Sequence, residues 1–213
     1  MYRIQQSSPL ELDAIAACHK ACFPQSLSVK LGRGYRVKSM EWFLVDENRF
    51  LVHVTDDGKV VGYCGGFVSR YHGDGSASGI IQYAMAEAMK GVLLKPWLLL
   101  NKEVIAMYPL IKKNIQKKVF GAKRKPSAKA SVKSVEQLKA GLVVIGVHPD
   151  YRGKGIFELL MTGFEKQTIE RGLSKMALSV KASNQRAIKA YSKAGWKAGK
   201  ENGSTLEMTK EIV

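Results

Sequence analysis

A short apolar run, a basic turn containing glycines and an amphipathic helix follow one another between residues 142 and 171, and this order constrains the fold more than any other part of the chain. The run from Leu142 to Val147 is rich in β-branched residues, which favours a buried strand. From Gly155 to Arg171 apolar residues recur at helical spacing, and a second strand-like run follows from Lys175 to Val180. The segment therefore predicts a strand–helix–strand unit, in which a helix packs on a sheet.

The N-terminal part of the chain predicts two strands joined in a hairpin. The β-rich runs Phe50–Thr55 and Val60–Val68 flank a turn that contains Asp57-Gly58, a strong hairpin signal. Before them we expect a first strand over Tyr2–Gln6, a helix capped near Ser8 that ends at about Phe23, and a loop over Gln25–Tyr35.

The C-terminal end predicts one more helix and two closing strands. The helix runs from Asn184 to Ala194 and ends at Gly195, which suits the left-handed conformation of a helix end. Strands are expected over Trp196–Lys200 and Thr205–Ile212. With 213 residues, the chain can bury one full core, so we expect a single domain over residues 1–213.

The three cysteines are Cys18, Cys22 and Cys64. Their small, odd number and the lack of a charged-then-apolar leader favour a reducing cytoplasm. Cys18 and Cys22 share one helix face, but no neighbouring His or Cys completes a metal-binding pattern. Buried thiols are therefore the favoured interpretation, and we expect no metal.

The formal net charge of +16 is concentrated in one part of the chain. Between Lys90 and Lys133 stand twelve lysines and arginines and a single acidic residue, Glu103. This charge falls within residues 79–135, which we interpret as a basic helical insertion and connector. It suits an anionic lipid, a nucleic acid, a nucleotide-linked substrate or a cofactor phosphate, and composition does not choose among them.

The apolar stretch Gly91–Leu100 belongs to the same insertion and includes Pro96 and Trp97. It is too short to span a bilayer. Core packing is the favoured interpretation, while an amphipathic lid, a homodimer face and a peripheral membrane contact stay open.

The stretch from Val147 to Ile156, which joins a strand to a helix through a basic turn, has the chemistry of an anion site. Glycines let the backbone approach a diphosphate, the free amides at the helix start point toward it, and Arg152 and Lys154 add positive charge. A tight strand-to-helix turn with solvated basic side chains would give the same residues, so this segment alone leaves both interpretations open.

A family resemblance favours the anion site. The residues Arg152-Gly153-Lys154-Gly155-Ile156-Phe157 resemble the Arg/Gln-x-x-Gly-x-Gly/Ala motif of the GCN5-related N-acetyltransferases (GNAT). The stretch from Asn184 to Trp196 is similar to that family's later Asn-x-x-Ala-x-x-x-Tyr-x-x-x-Gly-Phe sequence, with Trp196 in place of Phe. Two motifs in the right order are more specific than either alone, and the resemblance covers about residues 142–212.

The resemblance implies an α/β (α+β) fold with a mixed, mostly antiparallel sheet flanked by helices and a helical insertion before the fourth strand. It also implies acetyl-coenzyme A as co-substrate, with its pyrophosphate on the backbone amides of the loop. The residues implied to bind it are Ile145, Val147, Arg152, Gly153, Lys154, Gly155, Ile156, Phe157 and Asn184. The Val147 amide would polarise the thioester carbonyl, and Tyr191 would sit near the sulfur and help a thiolate to depart.

Two positions depart from the family pattern. Phe157 stands where the family has Gly or Ala, so its side chain either crowds the phosphate or turns away. The Leu142–Val147 strand carries none of the carboxylates that many members use as general base. His72 and Asp74 are our favoured candidates for that role, with His53 and Glu87 as alternatives.

The expected activity is direct acetyl transfer to an amine of a small molecule. The amino-acid sequence of the insertion resembles that of family members encoded together with enzymes of surface-polysaccharide biosynthesis. This resemblance favours an amino sugar or a sugar nucleotide as acceptor. A protein N-acetyltransferase is the alternative within the enzyme class. A nucleic-acid- or membrane-binding module on the same scaffold is the alternative outside it, and nucleic acid is not expected because the basic stretch lacks interleaved aromatic residues.

Overall fold

The computed structural model describes residues 1–69, 76–101, 104–105 and 138–212. In these ranges seven strands form one sheet. The strands are β1 (Arg3–Gln6), β2 (Arg49–Asp56), β3 (Lys59–Ser69), β4 (Lys139–Val147), β5 (Lys175–Lys181), β6 (Lys197–Asn202) and β7 (Thr205–Glu211). Their order across the sheet is β1-β2-β3-β4-β5-β7-β6. Every neighbouring pair is antiparallel except β4–β5, which confirms the predicted mixed, mostly antiparallel sheet.

Helices cover both faces of this sheet. The described helices are α1 (Leu12–Cys22), α2 (Leu27–Lys30), α3 (Arg33–Glu41), α4 (Ser76–Tyr83), α5 (Met85–Leu94), α6 (Ile156–Ile169) and α7 (Gln185–Lys193). On one face Phe164 and Leu160 of α6 pack on Phe50 and Val52 of β2. On the other face Ile15 of α1 packs in a second cluster that holds the aromatic rings of Phe43 and Tyr63. The two clusters give the sheet a buried layer on each side.

The predicted hairpin, first strand and C-terminal elements are confirmed within a few residues. The loop predicted over Gln25–Tyr35 is wrong, because α2 and the start of α3 lie there. A long-range contact explains this difference: the Arg36 guanidinium donates hydrogen bonds to the carbonyls of Ala16 and Val29, 3.3 Å in each case. Gly32 starts α3 with a φ of 108°, a backbone conformation that glycine adopts freely.

The described part of the insertion is helical, as predicted, and packs on the N-terminal helices. Leu98 joins a small apolar cluster with Leu31, Tyr35 and Ala84. Of the insertion and connector predicted over residues 79–135, residues 102–103 and 106–135 lie outside the described residues. No helix in the described ranges is both long and apolar enough to cross a bilayer.

The two parallel strands β4 and β5 stay paired over a short length. Their register joins Ala140, Gly141 and Leu142 to Met176, Ala177 and Leu178, and goes no further. Beyond Leu142 the last five residues of β4 continue beside β3 alone. The strands therefore separate toward their carboxyl ends and open a gap in the sheet.

Candidate functional site

A cavity of about 610 Å³ occupies the gap between β4 and β5. Its walls come from the ends of these strands, the loop before α6, the start of α6, the inner face of α7 and the end of α1. Nine of the residues predicted from the sequence line it: Ile145, Val147, Arg152, Gly153, Gly155, Ile156, Phe157, Asn184 and Tyr191. Its size lies in the range of small-molecule sites.

The loop at one end of the cavity is shaped by two glycines. Gly153 has a φ of 76° and Gly155 a φ of 78°, and a side chain at either position would be strained. A Cβ built on either glycine meets no atom of the described residues within 4 Å, so among them the space above the loop is open. Helix α6 begins at Ile156, and no described side chain caps it. Its first amides therefore have no partner within the helix and can bind an anion.

Phe157 does not lie over these glycines. Its ring is half-buried and meets the ring of Tyr191 edge to face, with 5.6 Å between the centroids. The sequence left two orientations of the Phe157 side chain open. In the structure the side chain turns away from the glycine loop.

Basic side chains surround the cavity. Arg152, Arg186 and Lys193 line it, and Glu158 is the only carboxylate among its described lining residues. Lys154, predicted to bind the cofactor, is not among them, and its ammonium lies 5.1 Å from the centre of the Tyr151 ring. The cavity as a whole therefore favours an anionic ligand.

The amides of the β4 end face the gap between the strands. His148 donates its backbone N–H to the carbonyl of Val61 in β3, at 2.9 Å. Because alternate residues of a strand point their amides to the same side, the N–H groups of Ile145 and Val147 point away from β3. Beyond Leu142 no described strand pairs with that side of β4, so these two donors face the cavity.

Tyr191 is a buried ionisable side chain that lines the cavity. Only 7% of it is exposed, and Trp196 packs on its ring at 5.8 Å between centroids. Burial raises the pKa of its phenol to about 12, with a smaller contribution from the nearby Cys64 thiol. The hydroxyl is therefore protonated at neutral pH and can act as a donor.

Asn184 has a structural contact in addition to lining the cavity. Its side-chain oxygen accepts a hydrogen bond from the Ala187 amide at 3.2 Å and so caps α7. This contact fixes the helix that carries Tyr191.

The candidate general bases are not gathered at the cavity. His72 and Asp74 lie outside the described residues. His53 is fully buried on β2, where Ser7 and Gln5 hydrogen-bond its ring nitrogens. Glu87 lies on α5 and pairs with Lys90 at 2.6 Å. Neither His53 nor Glu87 lines the cavity.

Several lining residues were not predicted from the sequence. Arg186 and Lys193 stand seven residues apart on α7, a spacing that puts both on one face and could have indicated them. Ser179 and Val180 line the cavity because β5 diverges from β4. Cys22 and Phe23 line it because α1 ends beside the cavity. Those four depend on long-range packing, for which the local sequence gives no signal.

The three cysteines are buried and free, and the thiols of Cys18 and Cys22 lie 3.9 Å apart. In the described ranges no group of three or more His, Cys, Asp or Glu side chains has metal-binding geometry.

Comparison with known proteins links residues 103–196 to the acetyltransferase (GNAT) family. This stretch contains the basic glycine turn and the whole of the later motif, Asn184 to Trp196. Acetyltransferase SG1711 of Sodalis glossinidius is 47% identical over 49 residues, which are 23% of this chain and 34% of that protein. The chain thus aligns with about a third of the length of this relative.

Solved structures share the fold over nearly the whole chain. The ribosomal-protein-S18-alanine N-acetyltransferase of Escherichia coli has a TM-score of 0.56 at 14% identity, with 100% of this chain and 94% of the other covered. AAC(6')-Iy in complex with the bisubstrate analogue CoA-S-monomethyl-acetylneamine has a TM-score of 0.58 at 12% identity, with 95% of each chain covered.

Proposed function

We propose that this chain is an acetyltransferase of the GNAT superfamily, which the family match over residues 103–196 supports, and that it transfers an acetyl group from acetyl-coenzyme A directly to an amine. One observation carries the proposal. The cavity between the diverging strands β4 and β5 brings together an open glycine loop at a helix start, two unpaired strand amides and the protonated phenol of Tyr191. These features can bind the anionic cofactor, polarise the thioester carbonyl and donate a proton to the leaving group. Acetyl transfer from a thioester to an amine requires these three functions.

The residues present fit acetyl-coenzyme A. The space above Gly153 and Gly155 is open, which leaves room for a diphosphate against the first amides of α6. Arg152, Arg186 and Lys193 supply charge around it, and Asn184 and Phe157 complete the wall. When bound, acetyl-coenzyme A supplies an activated acetyl thioester. A solved neighbour that holds a coenzyme A bisubstrate analogue supports this assignment.

The roles proposed for β4 and Tyr191 follow from their positions. Ile145 and Val147 line the cavity, and the Val147 amide faces inward to donate a hydrogen bond to a polarised carbonyl. Tyr191 keeps its proton because its pKa is high, so it can donate that proton or a hydrogen bond to an anionic leaving group. With both substrates held together, the transfer needs no covalent enzyme intermediate.

For the acceptor we favour an amino sugar or a sugar nucleotide. The basic lining of the cavity suits an anionic substrate, and one structural neighbour carries an analogue that joins coenzyme A to acetylneamine. Another neighbour is named for a ribosomal protein substrate, so a protein or peptide acceptor is the alternative.

The general base is proposed to come from His72 or Asp74. His53 and Glu87 have partners elsewhere and do not line the cavity, which leaves His72 and Asp74 as the favoured candidates. Changing His72 or Asp74 to Ala should lower turnover across a pH series, because the attacking amine then loses its proton acceptor. An unchanged profile would exclude the altered residue.

The proposal is tested by incubating the full chain with acetyl-coenzyme A and a panel of amino sugars, sugar nucleotides, polyamines and peptides, while the free thiol of coenzyme A is measured. A reaction without amine corrects for hydrolysis. Amine-dependent thiol release with one class would support the proposal and assign the acceptor. No release with any class, together with salt-sensitive binding to DNA or vesicles, would favour a non-catalytic binding module instead.

The remaining predictions also await test. We propose one domain over residues 1–213, a cytoplasmic location that suits three free cysteines, and no nucleic-acid partner.

A further inference from the structure

The end of the described insertion carries a dense group of exposed apolar side chains. Leu93, Leu94, Trp97 and Leu100 are 78%, 79%, 64% and 80% exposed. We call these four residues the apolar ledge. Single exposed leucines are common on protein surfaces, but four large apolar side chains within eight residues mark an interaction surface.

The ledge is held by well-packed neighbours. Leu98, in the middle of the same segment, is only 4% exposed and packs with Leu31 and Tyr35. Gly91 lies so close to the Leu31 carbonyl that a Cβ would approach its oxygen to 2.2 Å. Since these two residues fix the segment on the N-terminal helices, the ledge residues are turned outward by the fold itself.

Lysine side chains border the ledge on the protein side. A second cavity, of about 400 Å³, is lined by Lys30, Lys95, Trp97, Leu98, Leu100 and Asn101. The Lys95 ammonium donates a hydrogen bond to the Lys30 carbonyl at 2.9 Å, which ties the two residues together. In the part of the chain that the structure describes, neither ammonium forms an ion pair with a carboxylate. Two cationic groups thus stand next to an apolar wall.

The sequence around the ledge adds charge of the same sign. Twelve lysines and arginines against one glutamate lie between Lys90 and Lys133. A surface that joins exposed leucines and a tryptophan with lysines has the chemistry of a segment lying at a bilayer surface, where apolar side chains enter the interface and lysines meet lipid phosphates. A protein partner or a second copy of this chain would have to offer a matching acidic rim. The charge of this chain is basic throughout that region, which disfavours pairing with itself.

We propose that the apolar ledge docks this protein on a bilayer that contains anionic phospholipid. Leu93, Leu94, Trp97 and Leu100 enter the interface, and Lys30 and Lys95 bind a lipid phosphate in the second cavity. This inference does not depend on the acetyltransferase reaction.

The test is co-sedimentation of the full chain with two vesicle types, phosphatidylcholine alone and equal parts phosphatidylcholine and phosphatidylglycerol. We expect binding to the anionic vesicles only. The double change Trp97→Ser and Leu100→Ser should weaken it about tenfold or more because apolar insertion is lost. The control is Leu10→Ser, which removes a leucine that is 90% exposed on another part of the surface and should change nothing.

Fluorescence gives an independent reading. Trp42 and Trp196 are 4% and 3% exposed, whereas Trp97 is 64% exposed. Anionic vesicles should therefore shift tryptophan emission to shorter wavelength in the wild-type chain, and not in Trp97→Phe. A shift that persists in Trp97→Phe would overturn the proposed orientation.

The double variant Lys30→Gln/Lys95→Gln tests the role of the two lysines. The control is Lys197→Gln/Lys200→Gln on the exposed strand β6, which removes the same number of positive charges. We expect the first pair to weaken vesicle binding more than the second at equal salt. Equal losses would show general attraction and no phosphate site. Vesicle binding abolished by dilute inorganic phosphate would assign the cavity to free phosphate instead, and would overturn the proposal.

Failure of the wild-type chain to bind either vesicle type would also overturn it. If sizing then showed a dimer that Trp97→Ser and Leu100→Ser convert to a monomer, the ledge would be an interface between two copies. Circular dichroism and coenzyme A binding of each variant establish that the fold and the first cavity are intact.

Discussion

The ring of Phe157 meets the ring of Tyr191 edge to face, with 5.6 Å between their centroids. Phe157 belongs to the first turn of α6, which follows the glycine loop, and Tyr191 belongs to α7. The contact therefore joins the proposed phosphate-binding end of the cavity to the proposed proton donor. It also explains how a bulky residue is tolerated at a position where the family has Gly or Ala, since the ring fills space beside the phenol and leaves the loop open.

Replacing Tyr191 with Phe should lower turnover about a hundredfold, a typical contribution from one proton donor, while coenzyme A affinity changes little. Steady-state kinetics and calorimetry separate the two effects. Tyr83→Phe is the control, because the Tyr83 hydroxyl donates its hydrogen bond to Glu41 and Tyr83 does not line the cavity. Because burial raises the pKa of Tyr191 to about 12, no loss of activity below about pH 11 should come from its ionisation. Unaltered turnover in Tyr191→Phe would remove it from the mechanism.

Replacing Gly155 with Ala should lower stability by about 1–2 kcal/mol, the usual cost of forcing a side chain into the left-handed region. Gly172→Ala is a matched control, because Gly172 has a φ of 67° with equally open space and lies outside the cavity. We expect similar losses in the two unfolding midpoints. Coenzyme A binding should weaken in Gly155→Ala alone, and equal binding in both variants would contradict the proposed role of the loop.

Much of the fold follows from local signals. Alternation and the Asp57-Gly58 turn predicted the hairpin, and helical spacing ended by Gly195 predicted α7. Helix α2 and the start of α3 escaped prediction because the hydrogen bond from Arg36 to the Ala16 carbonyl, which holds the segment, is long-range. Within the site, the motif residues were predicted from their spacing. Cys22 and Ser179 were not, since they reach the cavity only through the packing of α1 and the divergence of β5.

The folding stability should fall as the pH drops from about 6.5 toward 4, with His19 as one cause. His19 is buried on α1, where Tyr63 and Ser28 hydrogen-bond its ring. Burial and the nearby Arg36 charge lower its pKa from 6.5 to about 4. As the pH falls, the unfolded chain therefore takes up a proton on His19 before the folded chain does. The contribution of His19 to folding stability is complete above about pH 6.5 and is lost as the pH falls from about 6.5 to about 4. The shift corresponds to about 3 kcal/mol.

Urea midpoints measured across this pH range test the contribution of His19. His19→Gln should be less stable at pH 7, because its hydrogen bonds are altered, but its stability should depend less on pH than that of the wild-type chain. Parallel pH curves for the two proteins would show that His19 does not titrate on unfolding.

Replacing Trp196 with Phe should cost little stability, within about 1 kcal/mol. The indole is 3% exposed, and its N–H has no hydrogen-bond partner in the described structure. An unpaired buried donor costs about 1–3 kcal/mol, and removing it offsets the packing lost with the larger ring. Thermal unfolding of the two proteins measures the change in the free energy of unfolding. A decrease of about 3 kcal/mol or more, as in an ordinary core truncation, would show that the indole N–H has a hydrogen-bond partner in solution.

The central claim is that the cavity between β4 and β5 binds acetyl-coenzyme A, and isothermal titration tests it most directly. Acetyl-coenzyme A should bind saturably to the wild-type chain. Arg152→Ala, which removes a cation from the cavity lining, should weaken binding about tenfold or more. Lys154→Ala should have a smaller effect, because that ammonium lies over Tyr151. The absence of saturable binding of either acetyl-coenzyme A or coenzyme A to the folded protein would contradict the account.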